Sequence, residues 1–270
     1  MDNKPDAVFG ERALTHAGPR SLRDTFRLSV GYLALCLMCL GVSLAAIAMR
    51  VLLPRATSRR LGRRFVAWNF RLYLSLLSGM GACRFDLSAL DVLSADSAVI
   101  VAPNHPCLLD AIMILSRLPD AGCIMKAELV NNVFFGVGAR LVGYVCNTPL
   151  RTMVQLAVDD LHQGSHLLLF PEGTRTSKAT VGSMQGTTGL ISKRSGIPVQ
   201  TVFIETDSAF LGKGWSLLCT PKMPITYRVR LGKRFDPPED TAAFTRELQD
   251  YFQTELAHAQ LPSFPASRPV

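Results

Sequence analysis

The chain has 270 residues, with 29 Lys and Arg against 21 Asp and Glu and a formal net charge of +8; its pI is near 9.3 and its mean hydropathy is +0.22. A hydrophobic fraction of 48% excludes a disordered polar chain, and the length suits a single domain with a substantial core. A basic balance fits nucleic acid or an anionic membrane surface, but no zinc-finger, helix-turn-helix or aromatic-interleaved basic pattern accompanies it, so no nucleic-acid partner is expected.

The basic surplus sits at the start. Residues 1–70 hold 11 Lys or Arg against 4 Asp or Glu, so nearly all of the net charge lies there. Residues 1–27 read as a basic N-terminal tail, with 1–20 disordered. Residues 28–49 carry no charge and, at about 1.5 Å per residue, are long enough to cross a hydrocarbon core of about 30 Å. A cleaved signal peptide competes with this reading, because Ala46-Ile47-Ala48 resembles a small-residue cleavage site. The long acid-containing segment ahead of the run, and Arg50 directly behind it, favour a retained anchor, either spanning or re-entrant with a kink near Gly41. Arg55, Arg59, Arg60, Arg63 and Arg64 then read as a juxtamembrane cluster facing anionic headgroups, which places the following domain on the cytoplasmic face. Residues 65–80, rich in Phe, Trp, Leu and Tyr, read as an amphipathic helix on the bilayer or as a core helix. Residues 28–83 thus form a membrane-anchoring helical unit.

From residue 84 to 260 the pattern predicts one catalytic domain of α/β class, a sheet flanked by helices. Apolar runs at 98–102, 122–125, 144–146, 166–170, 198–204 and 223–230 alternate with helical stretches near 107–117, 133–142, 150–163 and 184–195. A last helix over 241–257 places Phe244, Leu248, Phe252 and Leu256 on one face, and 261–270 read as a disordered tail.

Two polar clusters fall where apolar runs end. Asn104-His105-Pro106-Cys107-Leu108-Leu109-Asp110 places a histidine and a carboxylate five positions apart after the run 98–102. With Pro106 in the first turn of the following helix, Asp110 could reach back to one imidazole nitrogen and leave the other free to take a proton from a hydroxyl. Taken alone, such a pair is as readily a helix-capping histidine beside a solvent-facing aspartate. The second cluster, Pro171-Glu172-Gly173-Thr174-Arg175, ends the run 166–170, with a glycine for a tight turn and a guanidinium fork that suits a phosphate. Two strand-end clusters fit one crevice, as open α/β sheets bind ligands outside the carboxyl ends of their strands.

Asn104 to Asp110, together with Phe170 to Arg175, resembles the first and third signature blocks of the glycerolipid acyltransferases, the lysophospholipid acyltransferase superfamily typified by 1-acylglycerol-3-phosphate acyltransferase. The likeness covers roughly residues 60–235. It implies that His105 activates an acceptor hydroxyl, that Asp110 orients it, and that Glu172, Gly173 and Arg175 belong to the substrate-binding turn, with Arg175 on the acceptor phosphate. Lys126 resembles a family lysine that assists phosphate binding, although a lysine snorkelling at a strand end fits the residues as well. The second block departs from the family: Gly143-Tyr144-Val145-Cys146-Asn147-Thr148-Pro149-Leu150-Arg151 lacks the usual arginine, and Arg151 is the candidate substitute. Gly196-Ile197-Pro198-Val199-Gln200 resembles the fourth block, with a structural role.

The resemblance implies transfer of an acyl group from acyl-CoA or acyl carrier protein to a lysophospholipid hydroxyl at a bilayer, in a bacterial inner membrane, with no cofactor and no metal. The altered second block keeps other acceptors open, such as a lyso-ornithine lipid or a pigment-linked glycolipid; a catalytically idle membrane-surface scaffold is the third reading. The seven cysteines, Cys36, Cys39, Cys83, Cys107, Cys123, Cys146 and Cys219, are scattered in apolar runs and read as small buried residues of a reducing compartment. Cys36 and Cys39 form a C-x-x-C inside the most apolar segment, where a zinc or redox role is not expected, and Cys107 lacks the full arrangement of a nucleophile.

Overall fold

The computed structural model describes residues 21–127, 136–147, 149–176 and 181–257, apart from the side chains at 55, 56, 137 and 141. The tails expected to be disordered, Glu128, Thr148 and the start of the helix expected at 133–142 therefore lie outside the described residues.

Two long helices open the fold. Helix α1, Leu22–Leu52, extends the apolar run by a turn or so at each end, and α2, Arg55–Gly79, starts ten residues before the expected 65. Between them Leu53 is extended and Pro54 heads α2, as expected for a residue held out of helical geometry by the proline that follows it. The two helices fold back on each other. Gly31 of α1 is buried where a Cβ would come within 3.2 Å of Leu77 Cδ2 of α2, and Arg27 reaches Gly81 beyond the end of α2. Helix α1 runs through Gly41 as one continuous helix, so a re-entrant hairpin turning at that residue is not observed. Its buried stripe is Leu28, Gly31, Ser43 and Ala46, whereas Leu33, Leu37, Leu40, Leu44, Ile47 and Val51 form an exposed apolar stripe on the other side.

Strands β1 (Cys83–Asp86), β2 (Ile100–Pro103), β3 (Gly122–Met125), β4 (Val145–Cys146), β5 (Leu167–Leu168), β6 (Val199–Thr206) and β7 (Ile225–Phe235) form one sheet in the order β1-β7-β6-β2-β5-β3-β4. All described pairings are parallel except β6 with β7. The helices are α3 (Asp110–Arg117), α4 (Gly136–Leu141), α5 (Leu150–His162), α6 (Thr187–Ser195) and α7 (Thr241–Ala257), and a 3-10 segment spans Ser88–Ala95. The expected α/β class and six of the strands are observed, but β1 and the 3-10 segment are absent from the sequence reading. Strand β1 is only four residues with two polar side chains, Arg84 and Asp86, so alternation had little to show.

Strand β2 shows why the central runs are continuously apolar. Val99 and Val101 point into a core shared with α1, α2 and α3, while Ala98, Ile100 and Ala102 point into a second core shared with α5, α6 and α7. A sheet covered on both faces buries both phases of its alternation. Gly196 ends α6 in the left-handed region at φ 67, which gives the fourth block its structural role.

The juxtamembrane reading of the arginines is corrected for two of them. Arg63 is buried, its Nη2 2.6 Å from Asp160 Oδ2, and it also donates to the carbonyls of Val142 and Asp120 and to Ser165 Oγ. Arg59 takes the other oxygen of Asp160, Oδ1, at 2.6 Å. Asp160 lies in the last turn of α5, so these two arginines clamp α2 onto α5 instead of reaching headgroups. Arg60 and Arg64 remain exposed, and the side chain of Arg55 lies outside the described set.

Candidate active site

His105 sits just beyond the end of β2, in the corner that leads to α3. The helix starts at Asp110, not at Pro106 as the sequence suggested, so the carboxylate is in its first residue. The intervening turn curls back, and His105 Nδ1 lies 2.7 Å from Asp110 Oδ2. Asp110 is 0% exposed and the His105 side chain 17% exposed. Burial raises the Asp110 pKa above its ordinary value, an effect opposed by the bonds from His105 and Cys107. With the carboxylate accepting, Nδ1 carries the proton and Nε2 offers its lone pair. Among the described residues Nε2 takes no hydrogen bond. One face of the imidazole stacks on Phe170, centroids 3.9 Å apart and planes inclined by 22°.

The second cluster is fastened to this corner. The backbone N-H of His105 donates to Glu172 Oε1 at 3.3 Å, and the N-H of Thr176 donates to the His105 carbonyl at 2.8 Å. Thr176 Oγ1 donates to the same Glu172 oxygen at 2.7 Å, and the Gly182 N-H to the other at 2.9 Å. Glu172 is buried, and these contacts make it the knot of the turn. Gly173, at φ 64, supplies the left-handed residue the turn needs. Asn104 secures the corner from the opposite side: its side-chain amide donates to the Ile204 carbonyl at 3.0 Å and accepts from the Ile204 N-H at 2.7 Å, continuing the β2 to β6 ladder beyond Pro103.

The Acyltransferase family model matches residues 84–205. A 1-acyl-sn-glycerol-3-phosphate acyltransferase of Pseudomonas aeruginosa is 24% identical over 176 residues, 63% of this chain and 66% of that protein, just under two thirds of its length. The crystal structure of the 1-acyl-sn-glycerophosphate (LPA) acyltransferase PlsC from Thermotoga maritima superposes with a TM-score of 0.64 and 18% identity, covering 89% of this chain and 98% of that one, which is a likeness of fold. The family match covers somewhat less than half of the chain, and the superposition shows a shared fold.

The remaining candidates lie beyond the ends of neighbouring strands. Strand β5, which leads to Glu172 and Arg175, lies beside β2, with β3 next and β4 at the rim. Lys126, exposed just past β3, is therefore two strands from His105, and Arg151, exposed in the first turn of α5 beyond β4, is three strands away. At about 4.8 Å per strand the structure does not bring Arg151 to the histidine. Arg175 is closer but partly engaged: its Nη1 donates to the carbonyls of Leu211 at 2.9 Å and Gly212 at 3.0 Å. That loop also receives the Leu108 N-H on the Leu211 carbonyl at 3.2 Å. Arg175 thus joins the third block to a loop over the first.

Sequence reasoning missed four contributors here. Phe170 was read as the end of an apolar run and the first residue of the third block, but its stacking on His105 was not foreseen. Asn104 and Cys107 were inside the block but had no assigned role. Thr176 lay one position past it, and only tertiary pairing reveals its bond to His105.

Proposed function

We propose that this protein is an O-acyltransferase that moves a fatty acyl group from acyl-CoA or acyl carrier protein to the hydroxyl of a lysophospholipid, with 1-acylglycerol-3-phosphate as the acceptor and phosphatidic acid as the product. The observation that carries this reading is the His105 to Asp110 bond, which leaves Nε2 as a free base beside the Glu172 to Arg175 turn. As the acceptor oxygen attacks the thioester carbonyl, its proton passes to Nε2, and Asp110 stabilises the imidazolium. A tetrahedral oxyanion forms and collapses, the carbon-sulfur bond breaks, and the thiolate leaves with the proton returned from His105. Oxygen-carbon bond formation balances carbon-sulfur cleavage, and no covalent acyl-enzyme is required.

Lys126 and the part of the Arg175 fork not held by carbonyls supply positive charge for an acceptor phosphate. The exposed stripe of α1 supports attachment to a bilayer, since this helix is long and apolar enough to cross one. The basic residues that follow it favour the cytoplasmic face of a bacterial inner membrane, and a lipid acceptor would then be met at the bilayer surface. One observation favours a second reading of the acceptor. With Arg151 at the rim and Arg175 Nη1 spent on carbonyls, a headgroup lacking a phosphomonoester, as in a lyso-ornithine lipid or a glycolipid, places less demand on the site.

The test is thiol release by the full chain in lipid, with acyl-CoA or acylated carrier protein as donor. Lysophosphatidic acid should be acylated, and His105→Ala should abolish that turnover. Preference for an acceptor without a phosphomonoester would overturn the named substrate, and full turnover by a folded His105→Ala protein would overturn the mechanism.

A further inference from the structure

Cys107 lies midway through the first block, and both of its hydrogen-bond donors converge on one carboxylate. Its backbone N-H donates to Asp110 Oδ2 at 2.8 Å, and its thiol donates to Oδ1 at 3.0 Å. Oδ2 is also the oxygen that receives His105 Nδ1, at 2.7 Å. Cys107 is 1% exposed and Asp110 0% exposed, so bulk water cannot take over either bond. The fully buried side chain of Tyr227 is close enough to interact with the Cys107 thiol.

We propose that Cys107 is a positioning residue for the proton-transfer pair: its thiol holds Asp110 from behind, keeping Oδ2 aimed at His105 and the carboxylate ionised, while the sulfur itself touches no substrate. The assignment deepens the proposed function and rests on His105 acting as the base.

The physical argument starts from what a buried carboxylate needs. An ionised carboxylate offers about four lone-pair sites, and in a low dielectric each donor it gains favours the charged form over the protonated one. Asp110 has three donors from His105 and Cys107 against complete desolvation. The thiol is the donor on Oδ1 among the described residues, and it is well suited to that task. Burial, followed by the adjacent Asp110 charge, pushes the Cys107 thiol well above its ordinary range, so it keeps the proton it donates. The same facts set the thiol apart from a nucleophile, which would have to lose that proton beside a carboxylate.

Removing the thiol acts on the pair in two ways of the same sign. Asp110 would hold a proton more readily, because its charged form has lost a donor. While ionised, its less dispersed charge would attract the imidazolium more strongly and raise the pH at which His105 gives up its proton. Both effects move the acid limb of kcat/KM to higher pH and spare the alkaline plateau. A residue that merely fills space would lower stability without moving this limb.

The experiment is the pH profile of kcat/KM for the full chain in lipid vesicles, with lysophosphatidic acid and acyl-CoA, for wild type, Cys107→Ala, Cys107→Val and Cys107→Ser. The Ala and Val variants should shift the acid limb upward by about one pH unit, which is about tenfold in rate on the acid side. Cys107→Ser restores a donor and should return the limb toward wild type. An unshifted limb in folded Ala and Val variants, or a uniform loss at every pH, overturns the proposal. If those variants do not fold, the infrared S-H stretch in the wild-type minus Cys107→Ser difference spectrum decides it. A band lowered in frequency, as for a donating thiol, supports the assignment, and a band at the free-thiol position overturns it. His105→Ala separates the two layers. Turnover that survives it removes the base assignment, whereas turnover that is lost beside an unshifted Cys107→Ala profile removes only the role given to Cys107.

Discussion

Two buried carboxylates, Asp160 and Asp110, have basic partners and serve different ends. Asp160 receives Arg63 and Arg59 at 2.6 Å each, one on each oxygen, and Arg63 spends its remaining donors on Val142, Asp120 and Ser165. Asp110 receives His105 at 2.7 Å and two donors from Cys107, but the histidine keeps Nε2 unengaged among the described residues and opens to solvent. In the first pair both oxygens of Asp160 are taken by arginines, and guanidinium does not give up its proton in a protein. Its chemistry is complete once α2 is clamped to α5. The second pair ends in an imidazole, a group able to take and return a proton, with one nitrogen to spare among the described residues. Burial and a basic partner are thus common to both sites, and what marks the reactive one is a ring that can take and return a proton at an unengaged nitrogen.

The largest effect that tests this contrast is loss of the open nitrogen. His105→Ala should lower kcat/KM by about 10²- to 10⁴-fold, the usual range for a general base, while the thermal midpoint stays near wild type. Steady-state rates and a melting curve on the same preparation check it. A large fall in midpoint with little change in rate would mean that His105 belongs with the structural pair.

The Asp160 pair should respond in the opposite manner. Arg63→Ala leaves Asp160 buried with one partner gone and should cost about 3–5 kcal/mol of stability. The protein that remains folded should turn over at a rate close to wild type, because the Arg63 contacts lie at Asp120, Val142 and Ser165, away from the strand ends that carry His105 and Glu172. Chemical denaturation in lipid-compatible detergent, together with the rate of the folded fraction, measures both. Undiminished stability would show that the clamp is ornamental.

Arg175 sits between the two types, with Nη1 on the carbonyls of Leu211 and Gly212 and its block fastened to His105. If the rest of its fork binds an acceptor phosphate, Arg175→Lys should raise KM for lysophosphatidic acid by about 10- to 150-fold, the equivalent of a charge-assisted bond worth about 1.5–3 kcal/mol. An acceptor without a phosphomonoester should be affected less. Equal losses on both acceptors would assign Arg175 to holding the loop alone.

The same contrast explains what the sequence revealed. The His-Asp pair was legible because its partners are five residues apart and one turn brings them together; the turn Pro171-Glu172-Gly173 was legible because glycine and a strand end are local signals. The α/β alternation was legible because each central strand is buried on both faces and reads as an unbroken apolar run. The Arg63 to Asp160 clamp was hidden because its partners are 97 positions apart, and an arginine beside a membrane-type helix has a ready local explanation. Glu172 and Arg175 were found as a motif, but their hydrogen bonds to His105, Gly182 and Leu211 are tertiary and could not be read from spacing. Strand β1 was too short and too polar for periodicity to detect.

The smallest predicted effect concerns the cost of keeping Asp110 ionised. Burial is the largest influence on its pKa and raises it above the ordinary 3.8, so the folded state binds this proton more tightly than the unfolded state does. Wherever the folded state binds more protons, stability falls as pH rises, here through the window from 3.8 up to the raised folded value. Above that window the full cost is present, and below it the cost vanishes. Asp110→Asn carries no charge to desolvate, and with its amide oxygen in the place of Oδ2 it can still accept from the Cys107 N-H and from His105, while its NH2 takes the place of Oδ1 beside the Cys107 sulfur. The variant should therefore lose most activity, since an amide neither stabilises imidazolium nor fixes the productive tautomer as firmly as a carboxylate does, yet match or modestly exceed wild type in thermal midpoint at neutral pH. The difference in midpoint should shrink as pH is lowered through the window. An Asp110→Asn protein that is less stable than wild type at neutral pH, with a gap that does not narrow in acid, would mean that the bonds to His105 and Cys107 outweigh desolvation, and Asp110 would then stabilise the fold as well as the chemistry.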